Sequence, residues 1–199
     1  MKFKIIICIV FVFSIASSCK VREIRSKKDI VNIINLVLKD YDSLCLVKET
    51  YYSHPTIQPE YAINHYIRVY SYDIMKKVDT VKNKNIAYKT FLKDIHGIIT
   101  EEELNEMKKR YTSWSLIEWQ QSHIENHNVN LISMHENPDN CSSLQTVRVS
   151  EPLLSRDMKK ALILISSSKN KTGGIALKVL RKENGKWSIK GGIPIGTSQ

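Results

Sequence analysis

Apolar and polar positions follow different rhythms along this chain, and each rhythm predicts an element. An unbroken apolar run, Ile5 to Phe13, follows Lys2 and Lys4 and runs into Ser14-Ile15-Ala16-Ser17-Ser18. It is too short to cross a bilayer, which takes about 20 apolar residues. A basic start, an apolar middle and a small-residue end make it a secretory signal peptide over residues 1–18. From Ser26, a good helix N-cap, the residues Ile30, Ile33, Ile34, Val37, Leu38 and Tyr41 recur at helical spacing, with Asp29, Asn32, Asn35 and Lys39 between them. That single stripe predicts an amphipathic helix of about four turns. Leu44-Cys45-Leu46-Val47 reads as a short strand, and Pro55 and Pro59 then break regular structure.

Residues 60–78 fit two periods. Ile63, Tyr66, Ile67, Tyr70 and Ile74 suit a helix, whereas Tyr66, Arg68, Tyr70 and Tyr72 alternate; a helix is expected, its tyrosines packed in the core. Thr100-Glu101-Glu102-Glu103 is a capping box. Acids then open the helix and Lys108-Lys109-Arg110 close it, in the sense the helix dipole favours. Leu104, Met107 and Tyr111 form its buried side. Val129 to Met134 reads as a strand and Glu136 to Ser143 as a polar loop. Ala161 to Ile165 is continuously apolar, as in a strand covered on both faces. Gly173-Gly174 opens a strand from Ile175 to Lys182, and Asn184-Gly185 supplies a hairpin turn. The return strand Lys186 to Lys190 points Trp187 and Ile189 inward. Helices first and strands last predict an α+β fold, with N-terminal helices packed on one face of an antiparallel sheet that ends in a three-stranded C-terminal meander.

Composition refines this picture in three ways. Removing residues 1–18 from the 199 leaves 181, enough for one domain with a real core, so residues 27–199 are expected to form a single domain behind a tether, 19–26. Of the net charge of +10, the leader carries two lysines; residues 156–199 hold ten Lys/Arg against Asp157 and Glu183, and the middle of the chain cancels. Lys178, Arg181, Lys182, Lys186 and Lys190 are therefore candidate anion-binding residues, against the plainer reading of a solvated, lysine-rich strand face. Nucleic acid is a disfavoured partner, because an exported chain meets little of it. Cys45 and Cys141 are candidates for a disulfide in an oxidising compartment, or for buried free thiols.

Cleavage after Ser18 would make Cys19 the first residue of the mature chain. Ser17-Ser18-Cys19 resembles the lipobox of bacterial lipoproteins, which implies lipidation at Cys19 and a membrane as partner. Ala16 stands where that pattern carries Leu, Val or Ile, and Ala16-Ser17-Ser18 also reads as an ordinary signal-peptidase site of a soluble secreted protein. Two longer stretches resemble an uncharacterised family of small exported bacterial proteins, many of them lipoproteins. The first is Ile99-Thr100-Glu101-Glu102-Glu103-Leu104-Asn105-Glu106-Met107 with Trp119 and Val129-Asn130-Leu131-Ile132. The second is Ser150-Glu151-Pro152-Leu153-Leu154-Ser155-Arg156-Asp157, an apolar strand, and Lys182-Glu183-Asn184-Gly185-Lys186-Trp187. Where that family carries a cysteine-glycine-rich loop, this chain has Ser166 to Lys171. The resemblance implies the address and the α+β class, and no reaction.

The search for chemistry yields little. His123 and His127, with His135-Glu136 beyond, have the four-residue spacing of zinc ligands on a helix. The position after His123 is Ile124, however, where a zincin needs its glutamate, so these are read as surface histidines near a helix end and no metal is assigned. There is no G-x-S-x-G elbow and no P-loop or dinucleotide fingerprint. Asp157 beside Arg156 reads as a turn residue. No catalytic residue and no cofactor are assigned. The expectation is an envelope protein that binds another protein or an anionic envelope component without catalysis; a hydrolase whose site is assembled from distant residues is the competing reading.

Overall fold

The computed structural model describes residues 26–50, 58–70, 97–116, 118–133, 141, 144–169 and 172–198. The leader, tether residues 19–25, the part of the expected helix beyond residue 70, and His135-Glu136 lie outside the described residues. What is described is an α+β fold of three helices and one seven-stranded sheet. Residues 26–38 form α1, so Ser26 is already helical. Strand β1 is Leu44–Val47, α2 is Pro59–Tyr70 and α3 is Glu101–Arg110. A short 3-10 turn, Gln121–His123, precedes β2 (Val129–Ile132), β3 (Gln145–Val149), β4 (Leu153–Leu154), β5 (Lys160–Lys169), β6 (Thr172–Glu183) and β7 (Lys186–Ser198). Pro59 opens α2 where a break was expected, because the first helical position needs no N–H donor and suits proline's fixed φ. The alternating Gln145-Thr146-Val147-Arg148-Val149 escaped the sequence reading and is β3.

The strand order is β2-β1-β3-β5-β6-β7, with β4 beside β5. Strands β5, β6 and β7 form the expected antiparallel meander, joined at Asn184 (φ 50) and Gly185 (φ 78), the left-handed pair that a tight hairpin turn demands. The sheet as a whole is mixed, because β1 runs parallel to both β2 and β3. The long segment between β1 and β2 supplies the crossover that parallel pairing needs.

Helices cover both faces, where one covered face was expected. The continuous apolar strand β5 shows why. Ala161, Ile163 and Ile165 join the core under α1, together with Ile33, Ile34, Val37, Leu38, Val147, Val149, Leu180 and Trp187. Leu162 and Leu164 point the other way, into a second core with Ile63 and Tyr66 of α2 and Leu104 and Met107 of α3. A run such as Ala161–Ile165, apolar at every position, needs cover on each side, and α1 alone supplies only one.

Register irregularities shape this sheet, one opposite β5 and two in β7. Val149 pairs with Ile165 and Leu153 with Leu162, so Ser150, Glu151 and Pro152 stand opposite only two residues of β5. The gap is closed by Ser150, whose N–H donates to the Leu164 carbonyl and whose Oγ accepts from the Leu164 amide. In β7 the register shifts between its pairings with Val179 and Leu180, with Lys190 as the extra residue. Trp187 and Ile189 before it face α1, whereas Ile193 after it faces α2 and α3. One inserted residue moves a strand's odd positions to the other face.

Cys45, on the strand at the centre of the parallel half, is bonded to Cys141, with Cα atoms 6.1 Å apart and 96 residues of separation. Replacing both by serine is expected to lower unfolding stability by about 2–4 kcal/mol. Urea denaturation of the wild-type chain with and without reductant, beside the double variant, checks this; reductant should leave the variant's midpoint unchanged.

Candidate functional site

Most of the chemistry-bearing side chains in the described residues hold the fold. Asp29 falls four residues before Ile33, on the apolar stripe of α1, and is 3% exposed. Its Oδ1 accepts from Lys182 Nζ at 2.6 Å and from Trp187 Nε1 at 3.0 Å. The ammonium also lies 5.6 Å from the centre of the Trp187 ring. Asp29 was expected among the polar positions between the apolar ones; it is instead the partner that makes Lys182 acceptable against the core.

The five candidate anion-binding residues divide into two groups, Lys178 and Lys182 on one face of the sheet and Arg181, Lys186 and Lys190 around Glu183 on the other. Lys182 and Lys178 alternate with Arg181 along β6, so they lie on the face opposite to it. Lys182 is held by Asp29, while Arg181 and Lys190 both reach Glu183, at 3.3 and 2.9 Å. Lys178 lies across Gly192, close enough that a Cβ there would meet its Cδ at 2.9 Å. Lys186 is exposed at the hairpin. Strand pleating separates what sequence proximity had grouped.

The acids behave similarly. Glu151 is buried in the bulge before β4, and its carboxylate accepts from the Ser115 amide, the Ser115 hydroxyl and the Leu116 amide at 2.6–3.0 Å. Asp157 is the turn residue its context suggested: Oδ1 accepts from Ser155 Oγ and from the Lys159 amide, holding Met158 at φ 55 between them. These hydrogen bonds and the nearby lysines outweigh burial and hold the Asp157 carboxyl below its ordinary range. Within Ser150–Asp157, Ser150, Ser155 and Asp157 thus shape the connections from β3 to β5, while Glu151 holds the segment at Ser115 and Leu116.

His123 sits in the 3-10 turn, not on a helix, and its Nδ1 accepts from the Gln120 amide. His127 is exposed beyond it. Among the described residues no group of three or more His, Cys, Asp or Glu gathers as metal ligands would.

An arrangement the sequence did not suggest lies at the C-terminal end of α3. Arg110 donates to the Leu154 carbonyl of β4, and its guanidinium carbon is 4.8 Å from the centre of the Tyr111 ring. Tyr111 in turn accepts from the Leu154 amide at 2.9 Å, so the last turn of α3 is clamped on β4. Two residues further, Arg156 extends from the β4–β5 turn and meets Glu106 at 3.2 Å, with both side chains well exposed, 74% and 40%. Between them opens a solvent-facing cleft of about 360 Å³ whose described lining is Glu106, Lys109, Arg110 and Arg156. Lys109 and Arg110 were visible only as a favourable helix end; Arg156 reaches them through the fold.

Nearby, Glu103 completes the capping box with Thr100 and accepts from Lys160 Nζ at 2.7 Å through both oxygens. Burial pushes its carboxyl upward, but the Lys160 and Thr100 hydrogen bonds prevail and hold it below the ordinary range. On α2, Tyr66 is pushed up to about 12 by burial, and its hydroxyl accepts from the Ile99 amide. His65 stacks on Tyr61 with ring centres 6.3 Å apart. Its Nε2 is buried with no hydrogen-bond partner among the described residues. Burial, with Arg68 adding and the Pro194 carbonyl opposing, holds its imidazole below the ordinary histidine range.

No family model, no curated protein and no solved structure matches this chain.

Two predictions follow from these contacts. Asp29→Ala leaves Lys182 and the Trp187 indole without their acceptor, at a cost of about 3 kcal/mol. In urea unfolding, Asp29→Ala with Lys182→Ala should cost clearly less than the sum of the single changes; strict additivity would show that the two do not act as a pair. Acid should also destabilise the fold in two windows. His65 and Glu103 both bind a proton less readily folded than unfolded, so the stability they add is complete at higher pH and lost on acidification. For His65 the loss begins as pH falls through 6.5, and for Glu103 as it falls through 4.5. Urea midpoints measured from pH 8 to 3 should show His65→Asn flattening the upper window and Glu103→Gln shrinking the lower.

Proposed function

We propose that this chain is exported, trimmed before Cys19 and held at a membrane by acyl chains on that residue, and that its α+β domain serves there as a non-enzymatic binding module. The observation that carries the reading is the bond between Cys45 and Cys141. Disulfides form and persist in oxidising compartments and are rare in a reducing cytosol, so the pair supports the export reading of Lys2 to Ser18. Multiple acyl chains anchor stably where one does not, at about 0.8 kcal/mol per buried methylene, in keeping with the lipobox-like Ser17-Ser18-Cys19.

The binding reading is supported by how the polar side chains are used. Among the described residues the two buried carboxylates, Asp29 and Glu151, are engaged by donors from distant segments. The Ser115 hydroxyl donates to Glu151, but two backbone amides share that carboxylate, so it serves as a fixed acceptor for the 115–116 loop rather than as the base of an acyl-transfer or hydrolytic site. The partner is a protein or an anionic envelope component.

Metabolic labelling with radioactive palmitate tests the anchor. Label should enter the wild-type chain and disappear in Cys19→Ala, and the intact mass of the native protein should lack residues 1–18. A mass that retains Met1, or label that persists in the variant, would overturn the reading.

A further inference from the structure

We propose that the cleft between the end of α3 and the β4–β5 turn is a phosphomonoester site. Its described lining sets three cations, Lys109, Arg110 and Arg156, against one carboxylate, Glu106. Two positive charges are left over, which is the charge of a phosphate monoester above pH 6 with its sign reversed. A carboxylate or a phosphodiester would neutralise half of it. Guanidinium forks match the geometry of phosphate oxygens, and two of the three cations are arginines.

The two arginines are differently prepared. Arg110 is pre-set: the Leu154 carbonyl and the Tyr111 ring fix its guanidinium, and Tyr111 is itself tied to Leu154. Little further ordering is needed for it to bind, which favours affinity. Arg156 is parked on Glu106 in an exposed pair, and such pairs contribute little, about 0–1 kcal/mol. An incoming phosphate offers Arg156 a doubly charged acceptor in place of a singly charged one. The surrounding turn keeps its shape meanwhile, because Ser155 and Asp157 hold it without using Arg156. The cleft is open to solvent and larger than a phosphate, so the ester's remaining group is accommodated outside the cations.

This inference rests on reading the domain as a binding module and is independent of the anchor. The test is calorimetric titration of the full chain in a non-ionic detergent at pH 7.5. The probes are inorganic phosphate, glycerol 3-phosphate, and mixed micelles carrying either phosphatidic acid, a monoester, or phosphatidylglycerol, a diester. Binding of glycerol 3-phosphate assigns a soluble ligand, and binding of phosphatidic acid micelles alone assigns a lipid headgroup. Lys109→Ala and Arg156→Ala should each weaken binding about tenfold, and Lys169→Ala, at the opposite end of β5, should leave it unchanged. Glu106→Gln should tighten it several-fold, which loss of a merely structural residue would not do. Unfolding curves confirm that the variants are folded. Absence of binding to every probe, phosphatidylglycerol bound as tightly as phosphatidic acid, or affinity that survives both Lys109→Ala and Arg156→Ala overturns the site. Palmitate label at Cys19 is read separately, so failure of the cleft and failure of the anchor are told apart.

Discussion

A single carboxylate joins the two ends of this fold. Asp29, in the first described turn of α1, receives Lys182 and Trp187 from the C-terminal hairpin across 153 and 158 residues of chain. The hydrophobic effect can press α1 against the sheet, but it is non-directional and does not choose where along the sheet the helix comes to rest. The ion pair and the indole hydrogen bond do, because a buried charge tolerates only a geometry that satisfies it. Once α1 is registered on β6 and β7, Ile33, Ile34, Val37 and Leu38 fall over Val147, Ile163 and Leu180, and the first core closes. The opposite core is registered by a comparable contact, Glu103 on Lys160, which seats α3 over the start of β5.

What could be read from the sequence was local. The capping box at Thr100 and the left-handed pair at Asn184-Gly185 are complete within a few residues, and both are found as expected. The stripe of α1 and the continuous apolar run Ala161–Ile165 of β5 declare buried faces through their pattern alone. The features missed depend on partners far away. Asp29 sits on the apolar side of its helix, a position that in hindsight asks for a buried donor, yet nothing nearby names Lys182. The parallel pairing of β1 has no signature in its four residues. Ser150-Glu151-Pro152 shows its surplus residue only once β5 lies beside it.

The basic residues illustrate the same limit from the other side. Lys178, Arg181, Lys182, Lys186 and Lys190 looked like a patch because they are close in sequence, and the pleat distributes them over two faces. Lys109, Arg110 and Arg156 looked unrelated, the first two being explained by the helix dipole, and the clamp of Tyr111 on Leu154 brings them to one cleft. Charge density along a chain is a poor guide to charge density in space wherever side chains alternate.

The parallel placement of β1 has a consequence for the order of assembly. Leu44–Val47 pairs with β2 and β3 and with no sequence neighbour, so a chain emerging from its amino terminus presents this apolar segment long before its partners exist. The stretch from β3 to β7, by contrast, is linked by successive antiparallel contacts and can zip up as soon as it is released. Leu44 to Val47 must therefore wait for strand partners supplied by later parts of the chain, with α1 as their earliest packing neighbour.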